Sequence, residues 1–117
     1  MNFQHVDFSK VEEISGGDRD FIEELFEMYR TLLCGELDRI YAAAKSSDTA
    51  TLKNTIHKIK PNLKILGIKD MLSILLKIEE AAAAGFLYPS IEDELAKVKH
   101  LNDHVLLEMK MYEEQMS

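Results

Sequence analysis

The chain has 117 residues, of which 46% are hydrophobic and 30% charged, with five glycines and two prolines; that suits one folded domain, read as residues 1–117, and neither two domains nor a disordered chain. The net charge of −7 argues against general nucleic-acid binding, which needs a positive face along the phosphates. No apolar run approaches the roughly 18 residues that span a bilayer, so no membrane insertion is expected.

Taken in chain order, the elements are all helical, because apolar residues recur at three- and four-residue spacing and nowhere alternate with period two. The opening "MNFQHVDFSK" lacks the basic head and apolar run of a signal peptide, and His5 is expected in a tail. A short first helix covers "DFSKVEEI" and ends at Ser15-Gly16-Gly17. Asp18 or Asp20 caps a long second helix with Ile22, Leu25, Tyr29, Leu33, Ile40 and Ala44 as its stripe. This helix carries Cys34, the single cysteine, which rules out an internal disulfide and fits a reducing cytoplasm. After "KSSDT", Asp48 caps a third helix running to Leu66, with Gly67 as its left-handed terminator. A fourth helix carries Met71, Leu72, Leu75, Ile78 and Ala82 and ends near Gly85. "FLYPS" is a loop, and Ser90 caps a fifth helix with Ile91, Leu95, Val98, Val105, Met109 and Tyr112 inward. None of these amphipathic helices is stable alone in water. The expected architecture is all-α: an antiparallel up-down four-helix bundle with an additional short N-terminal helix.

Charge is segregated along the chain. Seven of the 14 Lys and Arg residues lie from Lys45 to Lys77, while acids crowd the flanking thirds. The basic part centres on "TIHKIKPNLKILG". At about 100° per residue, Lys53, Lys60, Pro61 and Lys64 fall within roughly 60° of His57, and the apolar residues Leu52, Ile56, Ile59, Leu63 and Leu66 centre on the opposite side. His57 is therefore expected on the solvent face, among lysines with no acids interleaved. Such a face is an incidental wet surface or an anion site. A mid-helix proline costs about 3 kcal/mol by freeing the carbonyl four residues back, here that of His57; on a solvent face water can take that carbonyl.

Glu79 falls inside the apolar stripe of the fourth helix, where a carboxylate needs a partner. Folding the chain at Gly67-Ile68 brings it level with His57, since the two lie equally far from Ile68. Glu79 would then accept the imidazole Nδ1–H and leave Nε2 as a nucleophile, or else pair with Lys60 or water. His100 and His104 have metal-ligand spacing but no third ligand at a telling offset. They read as solvated histidines on the face opposite the fifth helix's stripe, and no metal is expected. No glycine-rich phosphate loop or ATP-binding motif is present.

"HKIKPNLKILG" resembles the signature of histidine-containing phosphotransfer (HPt) domains. That family has a histidine followed by an apolar residue at +2, lysine at +3, often glycine at +4, and an apolar-Gly pair ending the segment. His57, Ile59, Lys60 and Leu66-Gly67 match; Pro61 departs, adding bulk where many members have glycine. The resemblance covers nearly the whole chain in its pattern of helices. It implies a bundle with the histidine exposed midway along one helix, and His57 as the phosphoacceptor. It also implies Lys60 and Lys64 beside the phosphoryl group, and Glu79 in the place of the glutamate that supports the histidine in chemotaxis kinases. Partners would be response-regulator receiver domains and a sensor or hybrid histidine kinase, docking past Met28, Leu32, Lys53 and Pro61. Mg²⁺ would sit on the receiver, with no cofactor on this chain. The chain would be a monomeric relay intermediate and no enzyme by itself. The alternatives are a helical interaction module with an incidental Lys/His face, or a bundle binding metal through His100 and His104.

Overall fold

A computed structural model describes residues 3–116. All of its regular elements are helical, with no strand among the described residues. Helix α1 is Ser9–Ser15. Helix α2 spans 19–45 without a break in three pieces: Arg19–Met28, a π-helical turn Tyr29–Leu33, and Cys34–Lys45. Helices α3, α4 and α5 are Thr49–Leu66, Lys69–Ala83 and Ile91–Gln115. The molecule measures 45 × 21 × 19 Å, its long axis set by α2 and α5, which at 1.5 Å per residue reach about 40 Å. Among the described residues no helix is long and apolar enough to cross a membrane.

Local chemistry sets most boundaries. The Asp18 carboxylate accepts from the Asp20 and Phe21 backbone N–H groups, at 3.0 and 3.3 Å, and starts α2. Asp48 does the same for α3 through the Thr51 N–H at 3.1 Å. Gly67, at φ 71°, stops α3. Helix α1 begins at Ser9, two residues later than expected, because the Asp7 carboxylate accepts from the backbone N–H and hydroxyl of Ser9. Ser90 occupies the N-cap position of α5, yet its side chain makes no capping bond. The turn is closed instead by the Ile91 N–H donating to the Tyr88 carbonyl.

The π turn was not legible as such. Tyr29, Leu33 and Leu37 are all buried, although successive steps of four drift about 40° each on an α-helix. A wider turn, closed by the Cys34 N–H donating to the Tyr29 carbonyl, absorbs that drift. Tyr29 is then buried with its hydroxyl bonded to Asn102 of α5, and burial pushes its pKa well above the ordinary value.

Helix α3 packs against α2 and α4, α5 packs against α4 and α2, and α1 touches α2 and α3. Leu52, Ile56, Ile59, Leu63 and Leu66 of α3 are each at most 1% exposed. At about 1.5–3 kcal/mol per buried side chain, this stripe contributes on the order of 10 kcal/mol. That outweighs the roughly 3 kcal/mol cost of an internal proline, and α3 runs unbroken through the exposed Pro61.

The segment before α1 is no tail. Val6 and Phe8 are buried. The carboxylate of Glu108, itself only 8% exposed, accepts from the backbone N–H groups of His5 and Val6 at 3.0–3.1 Å. The Asp7 N–H donates to the Gly67 carbonyl at 2.9 Å, and Phe8 stacks on Tyr112 with centroids 4.4 Å apart. This strap lies so close to the α3–α4 joint that a Cβ on Gly67 would sit 1.9 Å from the Asp7 carbonyl oxygen. Gly16 also has positive φ, at 62°, but a Cβ there would meet nothing within 4 Å. Gly16→Ala should therefore cost only the left-handed backbone term, about 1–2 kcal/mol. Gly67→Ala should cost clearly more in urea denaturation and should raise amide exchange at His5 and Val6. Equal losses for the two variants would show that the strap does not bear on Gly67.

Candidate functional site

Since α3 must turn its stripe inward, the opposite side of the helix faces solvent, and His57 lies there with its side chain 75% exposed. Beside it is a cleft of about 700 Å³ between α3 and α4. Lys53, Asn54, His57 and Lys60 form one wall, and Leu76, Glu79, Glu80 and Ala83 the other.

Glu79 bridges the walls. Its carboxylate, 15% exposed, accepts from Lys60 Nζ at 3.0 Å through Oε1, while Oε2 lies 3.5 Å from His57 Nδ1. The lysine contact is a hydrogen bond. The histidine contact is longer than the usual 2.7–3.2 Å range and is an electrostatic approach. Both partners weighed for Glu79 are thus present on one carboxylate. Glu79 reaches round the edge of α3 because α4 packs along that helix and the hairpin brings the two residues level.

The expected cluster of unpaired lysines is corrected. Lys60 is engaged by Glu79, an acid that the neighbouring helix α4 supplies to this face and that a single-helix projection does not show. Lys58, outside that cluster, donates to Glu36 of α2 at 3.2 Å. Lys53 and Lys64 are exposed and have no ion-pair partner among the described residues. Lys53 lines the cleft, whereas Lys64 and Pro61 stand outside it.

Of the remaining candidates on α2, Met28 is half-buried against the core, while Leu32 is 63% exposed. Leu32 lies one turn before Glu36, the residue that reaches Lys58, so it belongs to the face of α2 beside the histidine helix. The acid pairing of Lys58 and the apolar wall residues Leu76 and Ala83 were missed in the sequence. Both would have followed from projecting α2 and α4 beside α3.

His5 and His104 are also corrected. The His5 side chain is only 22% exposed, and its ring packs on that of His104, with centroids 4.8 Å apart. The N-terminal strap covers part of the α5 face that was read as solvated, leaving His104 half-buried and His100 exposed. Among the described residues no group of three or more His, Cys, Asp or Glu side chains is arranged to hold a metal.

Comparisons with models of protein families, with curated proteins and with solved structures each return no match.

Replacing Glu79 by Gln keeps a hydrogen-bond acceptor for Lys60 but removes the charge facing His57 Nδ1. The bundle should stay folded, because the amide oxygen still accepts from Lys60 and no buried group is left unpaired. In imidazole ¹⁵N spectra the Nδ1–H tautomer of His57 should become less populated. An unchanged tautomer ratio would mean that the carboxylate acts on Lys60 alone.

Proposed function

We propose that the chain is a histidine phosphotransfer protein, relaying a phosphoryl group between receiver-domain aspartates through phosphohistidine at His57. The observation that carries this reading is the exposed imidazole with a carboxylate behind Nδ1 and Nε2 left to solvent, in a sequence that resembles the HPt signature. We take α2–α5 as an antiparallel four-helix bundle with α1 across one end. The cyclic packing of these helices supports that arrangement. So do the contacts between α2 and α5: Arg30 pairs with Glu113, Cys34 meets Asn102 and Tyr41 meets Lys99, so one helix ascends as the other descends.

In the proposed transfer, the Nε2 lone pair attacks phosphorus of an aspartyl phosphate. The N–P bond forms as the P–O bond to the aspartate breaks, and the carboxylate leaves with the electron pair. The ring then carries the phosphoryl group on Nε2 and a proton on Nδ1. That cation faces Glu79, whose charge stabilises it. Lys60 moves from Glu79 toward the phosphoryl oxygens, and Lys64 adds positive potential from one turn further along α3. Delivery to a second receiver reverses the step. Positioning and electrostatics supply the catalysis, with Mg²⁺ on the receiver. No ATP chemistry is asked of this chain, which acts as a monomeric intermediate in the cytoplasm between a sensor or hybrid kinase and its regulators.

Docking is assigned to the face of α2 and α3 around His57, through Met28 and Leu32 with Lys53 and Pro61. A relay must bind briefly, and a modest apolar patch with a lysine rim suits a receiver's acidic pocket.

Incubation with a phosphorylated receiver should label the chain with an acid-labile, base-stable phosphate, and His57→Gln should abolish labelling while its helical circular dichroism persists. Equal labelling of that variant would refute the assignment. Lys60→Ala should slow transfer by about tenfold, less than the hundredfold of a water-excluded oxyanion donor, and more than Lys64→Ala. If neither lysine alters the rate, the electrostatic role is wrong. Leu32→Ser should weaken receiver binding in an NMR titration without loss of stability. Chemical-shift changes confined to α5 would instead place the docking face elsewhere.

A further inference from the structure

On α5, away from the His57 cleft, His100 and His104 stand one turn apart with their Nε2 atoms 3.2 Å from each other. Their rings are nearly perpendicular, at 80°, with centroids 4.7 Å apart. Two imidazole nitrogens at this distance need something between them. Without a metal it is a single proton, one ring donating Nε2–H to the other's lone pair.

A metal ion fits the same gap. With metal–nitrogen bonds of about 2.0–2.1 Å, two ligands at a right angle lie about 2.9 Å apart, and at the tetrahedral angle about 3.3 Å. The observed separation falls between these values. We propose that His100 and His104 form a two-ligand chelate for a borderline divalent transition-metal ion, Cu²⁺, Ni²⁺ or Zn²⁺. Imidazole pairs favour these ions over Mg²⁺ or Ca²⁺, which take oxygen ligands. On binding, the donating ring shifts its proton from Nε2 to Nδ1, so both ligands remain neutral.

The two rings are held differently. His100 is exposed on the helix surface, while His104 is half-buried, with His5 packed against it at 4.8 Å and a 33° tilt. His5 is in turn fixed through its backbone N–H to the Glu108 carboxylate. That support presets the His104 rotamer and lowers the ordering cost of chelation. Among the described residues no third His, Cys, Asp or Glu side chain joins the pair in a metal-holding arrangement. The remaining coordination positions are open to water, so the site is an exchangeable surface chelate.

The test is calorimetric titration of the untagged full chain with NiCl₂ in chelator-free buffer. One saturable equivalent is expected. His100→Ala and His104→Ala should each weaken it by at least about tenfold, since even removing a group that only supports a ligand costs that much. His57→Gln should leave it unchanged. Substoichiometric Cu²⁺ should broaden the ring signals of His100 and His104 before those of His57. Absence of saturable binding, unchanged affinity in either alanine variant, or loss of binding in His57→Gln would overturn the site. Because His100 is exposed, its alanine variant tests the chelate without disturbing the core.

Discussion

Burial of Leu52, Ile56, Ile59, Leu63 and Leu66 sets the rotation of α3 about its own axis, since a 100° step per residue leaves no other orientation that hides all five. With the stripe inward, His57 has to face solvent, and Pro61 is carried to the side where a lost backbone bond is least costly. The same rotation puts Lys60 at the edge facing α4 and Lys58 at the edge facing α2, within reach of Glu79 and Glu36. The site is thus a consequence of the core. A substitution that let α3 turn by even half a residue step would move the imidazole away from its carboxylate before it unfolded anything.

The ends of the helices hold that rotation in register. Gly67 ends α3 in a left-handed turn and, having no side chain, admits the Asp7 carbonyl. Asp7 is held by its bond to the Gly67 carbonyl, and the next two residues upstream by Glu108. One buried carboxylate on α5 thereby ties the chain's first described residues to the joint between α3 and α4. The exposed contacts nearby, such as Lys69 with Asp7 at 3.3 Å, add little, because both partners are well solvated.

Much of this was legible in the sequence because it depends on short-range chemistry. The cap at Asp48, a cap at Asp18 or Asp20, the terminator Gly67 and the inward stripe of every long helix follow from residue type and spacing within one or two turns; the structure selects Asp18. What was missed depends on two elements at once. The strap escaped notice because Val6 and Phe8 alone are too few to show periodicity, and Glu108 looks like one more surface acid until Val6 needs an acceptor. His104 appeared solvated because the residue covering it lies 99 positions away. The pairing of Lys58 belongs to α2 as much as to α3. The π turn did leave a trace, in the two successive four-residue steps from Tyr29 to Leu37, but such steps are ambiguous until burial shows that all three residues face inward.

Glu79 is where stability and the proposed chemistry bear on the same atoms. A carboxylate in an apolar stripe is seldom the most stable choice, and a well-packed leucine at such a site is often neutral or better. Its position makes sense as a holder of charge. In the resting state Lys60 neutralises it, so the carboxylate is not left unpaired at the edge of the core. On the proposed reading, phosphorylation brings two changes together: the imidazole becomes cationic beside Oε2, and dianionic oxygens appear on the solvent side within reach of a long lysine side chain. The carboxylate then exchanges one cation for another, and the lysine exchanges one anion for another. Both states are charge-paired, and the difference between them stays small. A relay needs that balance, because a phosphohistidine held too firmly would accept the group and never pass it on.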